Sequence, residues 1–153
     1  MTSAKHPRLW VLIADGEHAR VVAPTTSDHQ FATVTEFDSV TAHQRSHDLG
    51  TDRPGRVFES GSVTRHAITP RSDPHIEAKH HFAQAVARVI DQHAAEHAFD
   101  QLVLVAPPHT LSDLRAALGQ DAAAKVVGSE AKELVKLSDH ELSKHLAEWW
   151  RRP

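Results

Sequence analysis

Two apolar runs of strand length, RLWVLIAD (Arg8 to Asp15) and QLVLVA (Gln101 to Ala106), constrain the fold of this chain more than any other feature. Each is nearly unbroken rather than alternating, the pattern of a strand covered on both faces. Before the second run, Ile76, Ala83, Val86, Ile90 and Ala94 recur at three- and four-residue steps, and Phe82 and Val89 widen the stripe. Glu77, His81, Gln84, Arg88, Asp91, Gln92 and Glu96 take the opposite face. The spacing predicts an amphipathic helix over Pro74 to Ala98 of about seven turns.

The remaining segments fit around this frame. Asp15-Gly16 is a turn signal and HARVVA (His18 to Ala23) resumes strand character, so a hairpin is expected. FATVTEF (Phe31 to Phe37) alternates, placing Phe31, Thr33, Thr35 and Phe37 on one side of a third strand. Thr41 to Leu49 carries a helical turn or two. Thr110 is the expected cap of a helix that buries Leu111, Leu114 and Leu118 and stops at Gly119. Lys125 to Ser129 reads as a short strand. Ser138 with Glu141 forms a capping box for a last helix carrying Leu142, Leu146, Trp149 and Trp150. This order implies an α/β fold, a mixed β-sheet flanked by helices, over residues 1–153 as one domain.

Composition removes several function classes. The chain has no cysteine, which excludes disulfides, thiolate catalysis and Cys-ligated zinc. A formal charge of −3 provides no overall basic field, so nucleic-acid binding requires a local basic surface. No apolar stretch approaches the roughly 20 residues that span a bilayer, and the polar Met1 to Arg8 lacks a signal-peptide layout. A cytoplasmic location without membrane contact is the expectation. The 14 histidines are unusual; solvated surface residues account for most of them.

WVLIADG (Trp10 to Gly16), TDRPGR (Thr51 to Arg56), HHFA (His80 to Ala83), LVLVAPP (Leu102 to Pro108) and LRAAL (Leu114 to Leu118) together resemble the bacterial host attachment proteins, described as required for attachment to host cells. The resemblance runs from about Arg8 to Leu146. That family is similar in turn to the middle domain of eukaryotic and archaeal class-1 release factors and Pelota, which implies an RNase H-like fold of the translation-machinery type. In the release factors the loop before the long helix carries a Gly-Gly-Gln tripeptide. The corresponding stretch here, from about residue 50 to 73, has none, and Gln44, the nearest glutamine, has no glycine beside it. The resemblance transfers a position and not peptide release.

The loop Asp48 to Glu59 (DLGTDRPGRVFE) is the leading site candidate. Arg53 and Arg56 sit beside Gly50, Pro54 and Gly55, and Arg45, Arg65 and Arg71 extend a basic patch. Guanidinium forks match phosphate or carboxylate geometry, so the ligand expected is the backbone of ribosomal or other structured RNA, or an acidic partner. The competing reading is an ordered turn in which Asp52 pairs with Arg53 or Arg56. His80, early in the long helix, is placed to meet a ligand held by the loop, against a plain packing role.

Other constellations are weaker. His93 and His97 are four apart, as two metal ligands on a helix would be, but HAAEH lacks the metalloprotease glutamate. Both fall on the apolar stripe, where partly buried packing is expected; His43 and His47 share the spacing. No metal site or cofactor is assigned. Asp15, Asp38 and Asp100 flank strands, and a metal-dependent nuclease of RNase H-like fold would gather such carboxylates; a hairpin-turn role for Asp15 and a strand-entry role for Asp100 are the stronger reading. The glycine-flanked Ser62 lies in loop rather than at a nucleophile elbow. Trp149-Trp150-Arg151-Arg152 offers either core closure or a partner-binding end. The expected function is a non-enzymatic binding protein.

Overall fold

A computed structural model describes residues 7–25, 30–49 and 73–150, the last without its side chain. The first apolar run forms β1 (Leu9–Ala14), every residue of which is buried. Asp15 turns the chain by accepting the N–H groups of Glu17 (2.8 Å) and His18 (2.7 Å) on one carboxylate oxygen, and β2 (His18–Pro24) returns antiparallel. β3 (Phe31–Asp38) pairs with β2, and α1 (Ser39–Leu49) follows at once. The long helix is α2 (Pro74–Ala95), N-capped by the Asp73 side chain. The second apolar run is β4 (Gln101–Val105), leading to α3 (Pro108–Ala117), α4 (Gln120–Ala124) and β5 (Val126–Glu130). Two short helices, α5 (Asp139–His145) and α6 (Ala147–Trp150), close the described chain.

The sheet order is β3-β2-β1-β4-β5, with β1, β4 and β5 mutually parallel and β2 antiparallel to both its neighbours. This is the mixed α/β sheet expected. Its two faces build separate cores. Trp10, Leu12, Ala14, Leu102 and Leu104 face Ala42 of α1, the Phe82–Val86–Ile90 stripe of α2, and Leu114 and Ala122 of α3 and α4. Val11, Ile13, Val103 and Val105 face Leu134, Val135, Leu142, Leu146 and Trp149. The central strands are continuously apolar because each face has its own helical layer. None of the described helices is long and apolar enough to cross a membrane.

Several local expectations are corrected. β3 does not keep one alternation: Phe31 joins the α5–α6 core while Phe37 joins the α1–α2 core. The pairing steps from Val21↔Thr35 to Val22↔Thr33, leaving Val34 as a bulge that shifts the side-chain phase. β5 has the same device at Val127, between Leu102↔Val126 and Val103↔Gly128. Both bulge valines are exposed, 49% and 48%, one on each edge strand, where bulges obstruct pairing with another sheet.

α1 has three turns rather than one or two, although Ala42 is its one fully buried residue. α2 is shorter than expected, and Ile76, predicted inward, is 49% exposed. α3 begins at Pro108, whose fixed φ suits a first helical turn, so Thr110 is a buried helical residue and not the cap. Gly119 serves as N-cap of α4 instead of ending α3. The capping box of Ser138 and Glu141 is present as predicted.

Candidate functional site

The ends of the sheet differ in chemistry. β1 and β4 run with their carboxyl ends toward Asp15 and Ala106, and α2 runs the opposite way. Its last turn meets the start of β1, where His93 packs edge-on against Trp10, and its first turns lie over the β1–β2 hairpin. A Cβ on Gly16 would lie 2.6 to 2.8 Å from the Lys79 stem, so the bare glycine lets Lys79 cross the turn. His18 sits opposite Asp38 in the β2–β3 register, and Asp38 opens α1 by accepting the Thr41 N–H (2.8 Å). Bonds from the Thr41 backbone and then its hydroxyl hold the Asp38 carboxyl below the usual range. Two grooves of ≈ 360 and ≈ 370 Å³ share His18 and Asp38 here. One continues to Arg20 and Lys136, the other to His75 and Lys79. In open α/β sheets the crevice outside the carboxyl strand ends is where ligands bind.

On the other flank of α2, at the same edge, one carboxylate serves two imidazoles. Asp113 of α3 has Oδ1 3.4 Å from Nδ1 of His80 and Oδ2 3.7 Å from Nδ1 of His109. The Asp113 side chain is 15% exposed, while those of His80 and His109 are 47% and 68% exposed. Gln84 lies 3.3 Å from Nε2 of His80, one turn along. Asp113 Oδ2 is buried without a well-formed hydrogen bond, which costs about 1–3 kcal/mol where nothing compensates it.

Of the predicted site residues, the structure describes His80 and Arg45, and it places them apart. His80 stands at the carboxyl edge, more exposed than a packing role requires. Arg45 is on the far side of α2, donating to Thr35 Oγ1 (3.2 Å) with its guanidinium 4.8 Å above the Phe37 ring. Asp52, Arg53, Arg56, Arg65 and Arg71 lie outside the described residues. His97 falls beyond the end of α2 with φ 59°, so it does not share a helical face with His93.

The nuclease triad does not form. Asp100 accepts the backbone N–H (2.7 Å) and guanidinium of Arg8 at the start of β1; the backbone bond and then the guanidinium hold its carboxyl low. Asp15 follows the other end of that strand, about 20 Å away at 3.3 Å per residue. Among the described residues, no group of three or more His, Asp or Glu is placed to hold a metal ion. Trp149 is buried and its Nε1 donates to Glu130 (2.9 Å), closing the core as expected. The Trp150 side chain, Arg151 and Arg152 lie outside the described residues.

Sequence reasoning passed over Asp113, His109, Lys79 and Arg20. His109 and Asp113 are four apart on α3, the one legible sign of their pairing. Arg20 is a scaffold residue, bonding the carbonyls of Val135 and Leu137 and the Asp139 carboxylate.

These features define a mixed open-sheet α/β protein with two grooves and a His80–Asp113–His109 cluster at the carboxyl strand ends. The chain belongs to the family described as "protein required for attachment to host cells", whose match spans residues 10–146. Among solved structures it is similar to an archaeal translation termination factor, aRF1, at 8% identity and a TM-score of 0.44. That match covers 92% of this chain and 34% of the other, so this chain spans about a third of the factor's length. None of the curated proteins matches.

Proposed function

We propose that this member of the host attachment family is a non-enzymatic binding protein, cytoplasmic, that engages the ribosome or other structured RNA through Arg53 and Arg56. Its part in attachment, which the family description names, is then indirect, through RNA or translation physiology.

One observation carries the reading. Asp73, which directly follows the arginine-bearing residues 50–72, caps α2 at the carboxyl edge of the sheet. The stretch with Arg53, Arg56, Arg65 and Arg71 against Asp52 and Glu59 therefore leads into the edge where this class of sheet binds ligands. A local excess of guanidinium supplies the phosphate contacts that a chain of net charge −3 otherwise lacks. The order β3-β2-β1-β4-β5 with β2 alone reversed supports an RNase H-like reading of the scaffold.

Co-sedimentation with ribosomes tests the proposal. The wild-type chain is expected in the ribosomal pellet at low salt and the Arg53→Ala/Arg56→Ala double variant in the supernatant. Equal sedimentation of the two defeats the assignment of Arg53 and Arg56.

A further inference from the structure

We infer that His80 and His109, positioned by Asp113, form a stacking subsite for unpaired nucleobases at the carboxyl edge of the sheet. The inference rests on the RNA-binding reading above and names the part of the folded body that would touch the ligand. Binding of single-stranded nucleic acid needs exposed planar rings as well as cations, because every base has a face to stack. The chain has no tyrosine. Among the described side chains, Phe31, Phe37, Phe82, Phe99, Trp10 and Trp149 are all buried. Among the described side chains, the planar rings left at the surface are imidazoles.

His80 and His109 come from different helices and turn Nδ1 toward the two oxygens of one largely buried carboxylate. Nδ1 of His80 lies 3.4 Å and Nδ1 of His109 3.7 Å from this carboxylate, which turns one edge of each ring inward and leaves the rest of the ring at the surface. His81 adds a third ring, its centroid 6.2 Å from that of His80 and tilted by 44°. Asp113 is a positioning residue: its carboxylate is 15% exposed and lies behind the rings, within 4 Å of both Nδ1 atoms. The role assigned to the rings is stacking, which adds affinity without neutralising a phosphate. It therefore separates experimentally from the arginine contacts.

The test is fluorescence anisotropy with a labelled short oligouridine RNA across a salt series. His80→Gln/His109→Gln keeps polar atoms and loses the rings; it is expected to bind at least about fivefold more weakly per ring. The slope of log affinity against log salt should stay at the wild-type value. His80→Phe/His109→Phe restores the rings without the imidazole and should recover affinity. Arg53→Ala/Arg56→Ala should flatten the slope by about 0.7 for each phosphate no longer neutralised. Thermal melts confirm that each variant is folded, and Asp113→Asn should weaken binding through ring disorder with no change in slope. Wild-type affinity in the Gln pair, or no recovery in the Phe pair, overturns the inference. A wild-type chain that pellets with ribosomes and ignores the oligouridine also overturns it and leaves the RNA-binding reading standing. A chain that does neither removes both.

Discussion

Trp149 occupies the space in which a side chain at Gly128 would lie. A Cβ built on Gly128 approaches Cζ3 and Cζ2 of the indole to 3.1 and 3.2 Å and Cη2 more closely still. The indole cannot swing away freely, since it is 6% exposed and its Nε1 donates to Glu130 on the same strand. Gly128→Ala is expected to overpack this core and lose about 1–3 kcal/mol. Chemical denaturation measures it. Gly16→Ala is the control: Lys79 can move its flexible stem, so the loss there should be smaller. Equal losses at the two glycines would show that the Trp149 contact is not a constraint.

His97 ends α2 in a backbone conformation that suits glycine. Its φ is 59°, its N–H donates to the Ala94 carbonyl (3.0 Å), and the next N–H, of Ala98, reaches back to His93 (2.9 Å). That bond pair is the Schellman arrangement, which most often has glycine at this position. The left-handed region costs an L-residue about 1–2 kcal/mol, partly offset in a variant by the freer unfolded glycine. His97→Gly is therefore expected to stabilise the fold by about 0.5–1 kcal/mol, read as a raised Tm.

The same residue shows why some of the structure was illegible in the sequence. The stripe carried by Phe82, Val86, Ile90 and Ala94 continues in register to His97, so periodicity alone extends the helix through a reversal made without glycine. β1 and β4 were legible because their burial is continuous and needs no phase. β3 was legible as a strand but not in its facing, since the bulge at Val34 arises from pairing with β2. α1 gave a weak signal because only Ala42 is fully buried. Of the site, His80 could be singled out from its place early in a helix. Its partner Asp113 could not, because α2 and α3 meet only through tertiary packing. Arg45 reads in the sequence as an extension of the basic patch, whereas β3 places Thr35 and Phe37 against its guanidinium.

Arg20 ties the sheet to the segment before α5. Its guanidinium, 12% exposed, bonds Asp139 at 2.6 Å and the carbonyls of Val135 and Leu137. Arg20→Met strands these acceptors and should cost about 3 kcal/mol. Burial alone would raise the Asp139 carboxyl, but bonds from Thr33 and Arg20 outweigh it and hold it below the usual range. The folded form thus releases this proton more readily than the unfolded chain. The contribution is present above the ordinary aspartate range and is lost as pH falls through the lowered value. Asp139→Asn should lower stability near neutrality and lessen its decline in acid, as denaturation midpoints across a pH series would show. An unchanged acid limb would refute the assignment.

Asp91 behaves in the opposite sense. It accepts the Gly119 N–H (2.8 Å) at the start of α4. Burial is the largest influence on its carboxyl and raises it above the ordinary range, against the lowering effect of that bond. The folded state therefore holds this proton more tightly than the unfolded chain, and stability declines as pH rises through the window above the ordinary aspartate value. Asparagine keeps an oxygen for Gly119 and carries no charge to desolvate. Asp91→Asn should therefore match or exceed wild-type stability at neutral pH and lose this part of the pH dependence. Asp91→Ala removes the acceptor and leaves the Gly119 N–H without it, a cost of about 1–3 kcal/mol. Midpoints measured from mildly acid to neutral pH separate the two variants; an Asn variant as unstable as the Ala variant would mean that the charge itself holds α4 in place.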